Sequence, residues 1–237
     1  MQLILLAAGR GSRLPKSNRN KPKCLTKIKG KTIFQHNEKF FDKFKNKIVI
    51  TGYKKNLISK LAKKKKFKII FNKNYKNSNM VHSMFLAKKK ITGSVIICYG
   101  DIIFNQKIYK ILKKNIDSLP LNYNWKKNWL KRMSFSKMLL DAENVIIKKG
   151  YISEIGTPLS FKKLPEYQFM GLIKLRKKTF FKLFEFYKNL KNSKIDMTSF
   201  LNKAINKKFL KLKCLKYKSF WHEIDNIEDI KAANKLL

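Results

Sequence analysis

Short, wholly apolar runs alternate with amphipathic stretches through the first hundred residues. The runs are residues 2–8, Lys47 to Gly52, Phe67 to Phe71 and Ser94 to Cys98. Runs that are continuously apolar, rather than alternating with polar residues, predict strands buried on both faces. Between them, Thr32 caps a helix predicted through Phe44, with Ile33, Phe34, Phe40, Phe41 and Phe44 on its buried side. A basic helix is predicted over 54–65, with Leu57, Ile58 and Leu61 inward and Lys63 to Lys66 as its solvated end. A third is predicted from near Asn79 to about Lys89. This alternation predicts an α/β fold: a mostly parallel central sheet with helices on both faces. In such sheets the ligand lies beyond the carboxyl ends of the strands. Ala8-Gly9 and Gly100-Asp101 both fall at such ends.

Past residue 115 the rhythm changes. Val145 to Ile155 reads as a hairpin turning at Lys149-Gly150. Tyr167 to Leu175 is a strand and Phe180 to Leu190 a helix. Asp196 caps a helix through Ile205, Phe209 to Tyr217 is a last strand, and Asn226 caps a terminal helix. There is no internal repeat or low-complexity linker, so 1–237 is expected to form one domain. Its second half should extend the sheet with mixed strands and lay a substrate lid over it. Residues 14–23, polar, basic and Pro-containing, form a loop expected to be mobile before a ligand arrives.

The strongest chemical signal follows the first strand: Leu6-Ala7-Ala8-Gly9-Arg10-Gly11-Ser12-Arg13-Leu14, with Lys21-Pro22-Lys23-Cys24-Leu25 downstream. Glycines allow a sharp turn and a close backbone approach to a ligand. The N–H groups of such a loop can face an anion, with Arg13 and Lys23 adding fixed charge. A Walker loop is excluded, because no Lys-Ser or Lys-Thr follows the glycines at the required distance. The dinucleotide fingerprint is excluded because Leu14 stands where its third glycine would be.

Composition alters this picture in one respect. Fifty-six Lys and Arg against 14 Asp and Glu give a net charge of +42. Taken alone, that implies an RNA or anionic-surface partner. Only five of the 56 are arginine, and the lysines spread over the whole chain. Groove readers lean on arginine, so a solvated lysine surface is the simpler reading and nucleic acid is not expected as a partner. A charge-driven RNA- or surface-binding protein stands as the contrasting alternative. The hydrophobic share of 44% excludes a disordered basic tail. No stretch is long and apolar enough to span a bilayer, so membrane insertion is not expected. Met1-Gln2 provides no basic leader, so no signal peptide is expected. Cys24, Cys98 and Cys214 are odd in number and far apart, which fits a reducing cytoplasm.

Asp101 ends a buried strand, and Asp225 lies just before a helix. One or two carboxylates are what magnesium on a nucleotide takes from a protein. The plainer readings are a strand-end turn and a helix cap; beside the glycine loop, metal ligation is preferred. His36, His82 and His222 are scattered, and no Ser-His-Asp or Cys-His arrangement appears.

The glycine loop with Pro22-Lys23 resembles the signature of nucleotidyltransferases. Later blocks narrow the likeness: Asn79-Met80-Val81-His82-Ser83, Tyr99-Gly100-Asp101, Trp125 and Trp129 with Arg132, Asp141-Ala142-Glu143, Gly150 to Gly156, Tyr167 to Gly171, Asp196 to Leu201 and Trp221-x-Glu223-Ile224-Asp225. Their order is similar to bacterial choline-phosphate cytidylyltransferases, and more so to the phosphoglutamine cytidylyltransferase type. The likeness covers essentially the whole chain. One departure stands out: Pro15 follows Leu14 directly, which shortens the loop relative to the family pattern.

The resemblance implies a Rossmann-like nucleotidyltransferase fold, with 1–115 as the nucleotide-binding half and 116–237 as the acceptor-binding half. It implies a cytoplasmic, magnesium-dependent cytidylyltransferase that joins CTP to a phosphoglutamine- or phosphocholine-like acceptor for a surface polysaccharide or lipid. Leu6, Ala8, Gly9, Asn79, Ser83 and Gly100 would hold the nucleoside; Gly11, Ser12, Arg13 and Lys23 would hold the triphosphate, with Lys23 and Arg13 catalytic. Asp101 and Asp225 would hold Mg2+. Trp125, Trp129, Arg132, Tyr167 and Glu223 are candidates for the acceptor, the aromatics as an enclosure for a quaternary ammonium. A sugar-1-phosphate nucleotidyltransferase using UTP or TTP is the alternative within the superfamily. A homodimer is left open.

Overall fold

The computed structural model describes residues 1–15, 19–159 and 164–237. In chain order the strands are β1 (Gln2–Ala7), β2 (Lys27–Ile28), β3 (Lys31–Thr32), β4 (Asn46–Thr51), β5 (Phe67–Phe71), β6 (Val95–Tyr99) and β7 (Ile102–Phe104). They continue with β8 (Ser118–Asn122), β9 (Asn144–Lys148), β10 (Tyr151–Thr157), β11 (Gln168–Phe169), β12 (Leu172–Leu175), β13 (Lys213–Tyr217) and β14 (Trp221–Glu223). The helices are α1 (Ile33–His36), α2 (Glu38–Phe41), α3 (Lys55–Lys64), α4 (Met80–Phe85) and α5 (Ile108–Lys114). After these come α6 (Trp125–Trp129), α7 (Phe135–Asp141), α8 (Lys177–Leu190), α9 (Met197–Asn206) and α10 (Ile227–Leu236).

One sheet runs in the order β5-β4-β1-β6-β12-β8-β13-β10-β9, with β11 paired to β8. The four strands from the first half are parallel, each residue of β1 flanked by one of β4 and, from Gln2 to Leu6, one of β6. β12 is antiparallel to β6 and β8, while β13 is parallel to β8. The α/β class and the shift from parallel to mixed strands match the sequence reading. Every residue of β1 and β6 is buried, which is why neither alternates. α3 packs on β4 and β5, α4 on β1, and α9 on β10.

Several boundaries differ from the expectation. The helix expected from Thr32 to Phe44 is two short ones. Asn37, 2% exposed, interrupts them and donates its side-chain amide to the carbonyls of Ile33 (3.2 Å) and Ile102 (2.7 Å). The helix expected over Asn79 to Lys89 ends at Phe85 and gives way to a 3-10 turn at Lys88–Lys90. Tyr167 to Leu175 is two strands, because β11 pairs with β8 while β12 lies between β6 and β8. The last strand of the main sheet starts at Lys213, not Phe209. Of the loop expected over 14–23, residues 16–18 lie outside the described residues.

β8 is an addition to the sequence reading, and Pro120 sits inside it. The register explains how a proline survives in a central strand. Asp117 accepts from Lys213 and Tyr123 donates to Tyr217, so odd-numbered backbone groups face β13. Pro120 therefore faces the other side, between Ser118, which pairs with β12, and Asn122, which pairs with β11. Its missing N–H falls in the break between those two strands.

No helix among the described residues is long and apolar enough to cross a membrane. A second, smaller core joins Leu14, Ile28, Ile33, Ile103, Ile224, Ile230 and Ala233. It fastens the glycine loop to β7, β14 and α10, which carry the residues of the site.

Gly100 lies where β6 and β1 diverge. A Cβ there would meet the Leu6 carbonyl oxygen at 2.6 Å, and the Gly100 N–H donates to that same oxygen at 2.9 Å. Gly100→Ala is expected to cost about 1–3 kcal/mol, as overpacking against fixed backbone does. Gly93→Ala, with nothing within 4 Å of the new carbon, serves as control. Urea denaturation checks this; equal stability of the two variants would contradict the close approach.

Candidate active site

The glycine loop leaves β1 at Ala7 and turns back through Gly11, whose φ is +69°. A Cβ at Gly11 would lie 2.9 Å from Leu14 Cδ1 and 3.2 Å from Lys23 Cβ. The loop is thus folded tightly onto the base of Lys23. Leu14, fully buried, anchors it, and Arg19 Nε donates to the Leu14 carbonyl at 2.6 Å. Pro22 starts a 3-10 turn over Lys23–Leu25, which directs Lys23 back beneath the loop.

A cavity of about 370 Å³ lies beyond the ends of β1 and β6. Its lining includes all ten residues expected around the nucleotide: Leu6, Ala8, Gly9, Gly11, Ser12, Arg13, Lys23, Asn79, Ser83 and Gly100. Ala7, Cys24, Tyr75, Ser78 and Met80 also line it and were not among the expected site residues. Asn79 caps α4 through its side chain. Asn72, buried, donates to Ser78 and Ser83 Oγ at 3.0 Å each and so closes the cavity wall.

Asp101 and Asp225 meet at the mouth. β7 follows Asp101 directly and pairs antiparallel with β14, Ile102 opposite Glu223. Ile224 N–H then donates to the Asp101 carbonyl at 2.9 Å. This register brings together two carboxylates 124 positions apart, by the difference of their numbers. Lys23 Nζ donates to Asp101 Oδ2 at 2.7 Å and to Asp225 Oδ1. Arg13, exposed, reaches the same Asp225 oxygen at 2.9 Å.

Burial alone would lower the Lys23 pKa; Asp101, Asp225 and Glu223 reverse it and hold the ammonium protonated well above its usual range. Burial would raise Asp225, but Lys23 and then Arg13 hold it below the usual carboxylate range. Glu223 is pushed up to about 8 by burial, then by Asp225 and Asp101. The Cys24 thiol is pushed up to about 12 by burial and then Asp101, so it is no nucleophile at neutral pH.

Carboxylate oxygens of Asp101, Glu223 and Asp225 all lie within 4.8 Å of one another. Asp101 Oδ1 is buried and has no hydrogen-bond partner among the described residues. Three hard oxygen donors, one of them unpartnered, fit a divalent cation of the magnesium or calcium kind. Glu223, expected to face the acceptor, therefore also belongs to this cluster.

A second cavity of about 250 Å³ shares Arg13, Met80 and Asp225 with the first. Of the expected acceptor residues, Trp129, Arg132 and Glu223 line it; Trp125 and Tyr167 do not. Trp125 is fully buried against Trp129, with ring centroids 5.2 Å apart. Tyr167 stacks edge-on with Tyr123 and donates to Glu166 at 2.7 Å. Arg132 forms a buried ion pair with Asp229, a residue the sequence reading passed over. Asp229 also accepts the N–H groups of Asp225 (2.7 Å) and Asn226 (2.9 Å), completing the cap of α10. The Arg132–Asp229 pair thus fixes the turn that presents Asp225. The three histidines line neither cavity; His82 meets Tyr187, His36 the Ile28 carbonyl and His222 the Asp229 carbonyl.

A glycine-lined cavity at the carboxyl ends of parallel strands, closed by acid residues from both halves, marks a nucleotidyltransferase. The chain belongs to the MobA-like NTP transferase domain family, which matches residues 3–125. It is 31% identical to the CTP:phosphoglutamine cytidylyltransferase of Campylobacter jejuni over 98% of both chains. Among solved structures, the CTP:phosphocholine cytidylyltransferase of Streptococcus pneumoniae superposes with a TM-score of 0.76 at 17% identity, covering 99% of this chain and 98% of that one. A putative glucose-1-phosphate thymidylyltransferase of Bacillus anthracis gives 0.76 at 17% identity, covering 100% and 94%. At those identities the structures speak for the fold alone.

The raised Glu223 pKa has a consequence for stability. From the unfolded carboxyl value of 4.5 up to about 8, the folded protein holds a proton there that the unfolded chain releases. Stability contributed by that proton is lost as pH rises through this window. Glu223→Gln is therefore expected to gain on the parent, without divalent cations, between about pH 5 and about pH 9. Thermal unfolding across that range checks the sign. A constant difference at every pH would contradict the buried, proton-holding carboxyl.

Proposed function

We propose that the chain is a magnesium-dependent cytidylyltransferase. It transfers CMP from CTP to a small phosphorylated acceptor, giving a CDP-linked product and pyrophosphate. The carrying observation is the pair of cavities that meet at Asp225 and Arg13, one beside the glycine loop and one beside Trp129 and Arg132. The likeness to the C. jejuni cytidylyltransferase over nearly the whole chain supports CTP and a phosphoglutamine-like acceptor.

The obstacle in this reaction is charge, since one polyanion must attack another. An acceptor phosphate oxygen attacks the α-phosphorus in line, and the bond to the bridging oxygen of pyrophosphate breaks. The chain need supply no nucleophile; it supplies position and positive charge. The cavity beside the loop accepts the nucleotide without a Cβ from Gly9 in its way. Lys23, kept protonated by its carboxylate neighbours, and Arg13 offset the charge on the phosphates. Asp101 and Asp225, with Glu223 beside them, would hold the Mg2+. When bound, the ion would add positive charge to offset that of the phosphates. The product would serve as an activated precursor for a surface polysaccharide or lipid.

The second reading, a sugar-1-phosphate nucleotidyltransferase using UTP or TTP, draws on the thymidylyltransferase-like fold. Pyrophosphate release measured across triphosphates and acceptors separates the two. Turnover is expected with CTP and a phosphorylated amine or amino acid. Turnover with glucose 1-phosphate and UTP alone would replace the first reading with the second. Lys23→Ala, Asp101→Ala and Asp225→Ala are each expected to lower kcat by about 10²–10³ while circular dichroism stays that of a folded protein. Near-parental turnover in any one of them would remove that residue from the machinery.

A further inference from the structure

The two ends of the first cavity differ in charge. Arg13, Lys23, Asp101 and Asp225 line it beside the glycine loop, whereas the stretch from Tyr75 to Ser83 adds no charged side chain to the lining. On the cytidylyl-transfer reading above, the phosphates belong at the charged end and the base, the neutral part of the nucleotide, at the other.

The neutral wall has a fixed hydrogen-bond polarity, and a residue behind it sets that polarity. Asn72, 1% exposed, follows β5 and does not itself line the cavity. Its backbone N–H donates to the Thr51 carbonyl at 2.8 Å, which holds it in place. The Asn74 N–H donates to Asn72 Oδ1 at 2.9 Å, so that oxygen is committed. Turning the amide over would set two donors against each other. Asn72 Nδ2 therefore donates to the hydroxyl oxygens of Ser78 and Ser83, at 3.0 Å each.

The two serines then differ in one respect. Ser78 gives its own proton to the Asn74 carbonyl at 2.8 Å. Ser83 accepts from Asn72, and its proton meets no acceptor among the described residues. A hydroxyl that accepts from behind is left to donate in front. Ser83 is 4% exposed and lines the cavity, so the acceptor it lacks has to come from there.

Pyrimidine bases differ at the atom such a donor can read. N3 of cytosine is an acceptor, while N3 of uracil and thymine carries a hydrogen. Against cytosine a donor makes its bond; against uracil two donors face each other and both stay unmade, which is costly in a buried site. A site built around a hydrogen bond also rejects strongly the analogue that cannot make it.

On that cytidylyl-transfer reading, we propose that Asn72 sets the base preference without touching the nucleotide. It fixes Ser83 as a donor, and Ser83 donates to N3 of the base. Asn72 is thus a positioning residue, and Ser83 the group that reads the base.

The test is calorimetric titration of CTP, UTP and 3-deaza-CTP, whose N3 is replaced by C–H, into the full chain at fixed magnesium. The parent is expected to bind CTP about tenfold or more tighter than either of the others, the worth of one buried hydrogen bond made or lost. Asn72→Asp reverses the polarity, because a carboxylate accepts from the Asn74 N–H and from both hydroxyls. Ser83 then turns a lone pair to the cavity, and the CTP-to-UTP ratio is expected to fall about tenfold or more, towards UTP. Asn72→Ala and Ser83→Ala should each bring the ratio severalfold closer to one; they carry the test if circular dichroism shows Asn72→Asp unfolded. A purely structural Asn72 would weaken both triphosphates alike and leave the ratio unmoved. An unmoved ratio in the folded variants, or 3-deaza-CTP binding as tightly as CTP, would overturn the proposal and leave a CTP-preferring parent in accord with the cytidylyl reading. A parent that binds neither CTP nor UTP would sink that reading and this proposal together.

Discussion

Everything at this site depends on one backbone register. β7 and β14 pair so that Ile102 faces Glu223, and the next hydrogen bond, from Ile224 to Asp101, closes the pair. A slip of one residue would turn Asp225 to the opposite face. The pairing is held from below by the small core of Ile103, Ile224 and Ile230, into which Leu14 also inserts. The same apolar contacts therefore set both the carboxylates and the glycine loop. Asp229 adds a second restraint, receiving Arg132 on one side and the N–H groups of Asp225 and Asn226 on the other. A buried pair of this kind contributes little net stability. Its value lies in fixing where Asp225 points.

The electrostatic layout follows from this convergence. Three carboxylates crowd into a partly dry mouth, and one ammonium sits among them. Lys23 is made more basic than usual, Asp225 is held below the usual carboxylate range, and Glu223 is reluctant to ionise. Charges of both signs are thus positioned before any ligand arrives, which is what charge-neutralising catalysis requires. One lysine is even used inside the fold: Lys174 Nζ donates to the carbonyls of Leu112 and Lys113 and closes the end of α5.

Much of the first cavity was legible in the sequence, because its signals are local. A continuous apolar run ending in small residues announces a buried strand and a tight turn, and Gly9 to Arg13 lie within a few residues of each other. The second cavity was less legible because its geometry is made at long range. Trp125 and Tyr167 look like binding residues, yet packing draws them inward. Asp229 looks like one more helix-cap residue until Arg132 is seen to reach it. Asp141, Glu143 and Asp196 were not among the expected site residues; three elements bring them to one cavity. Pro120 is tolerated in β8 because the rule against proline in a central strand assumes neighbours on both sides, and here one side is interrupted.

A crystal structure of the protein with CTP and magnesium would test the central claim most directly. The expected result is the triphosphate lying along Gly9 to Arg13, with a cation bound by Asp101 and Asp225. A triphosphate seated elsewhere, or those two carboxylates drawn apart with no ion between them, would contradict the account.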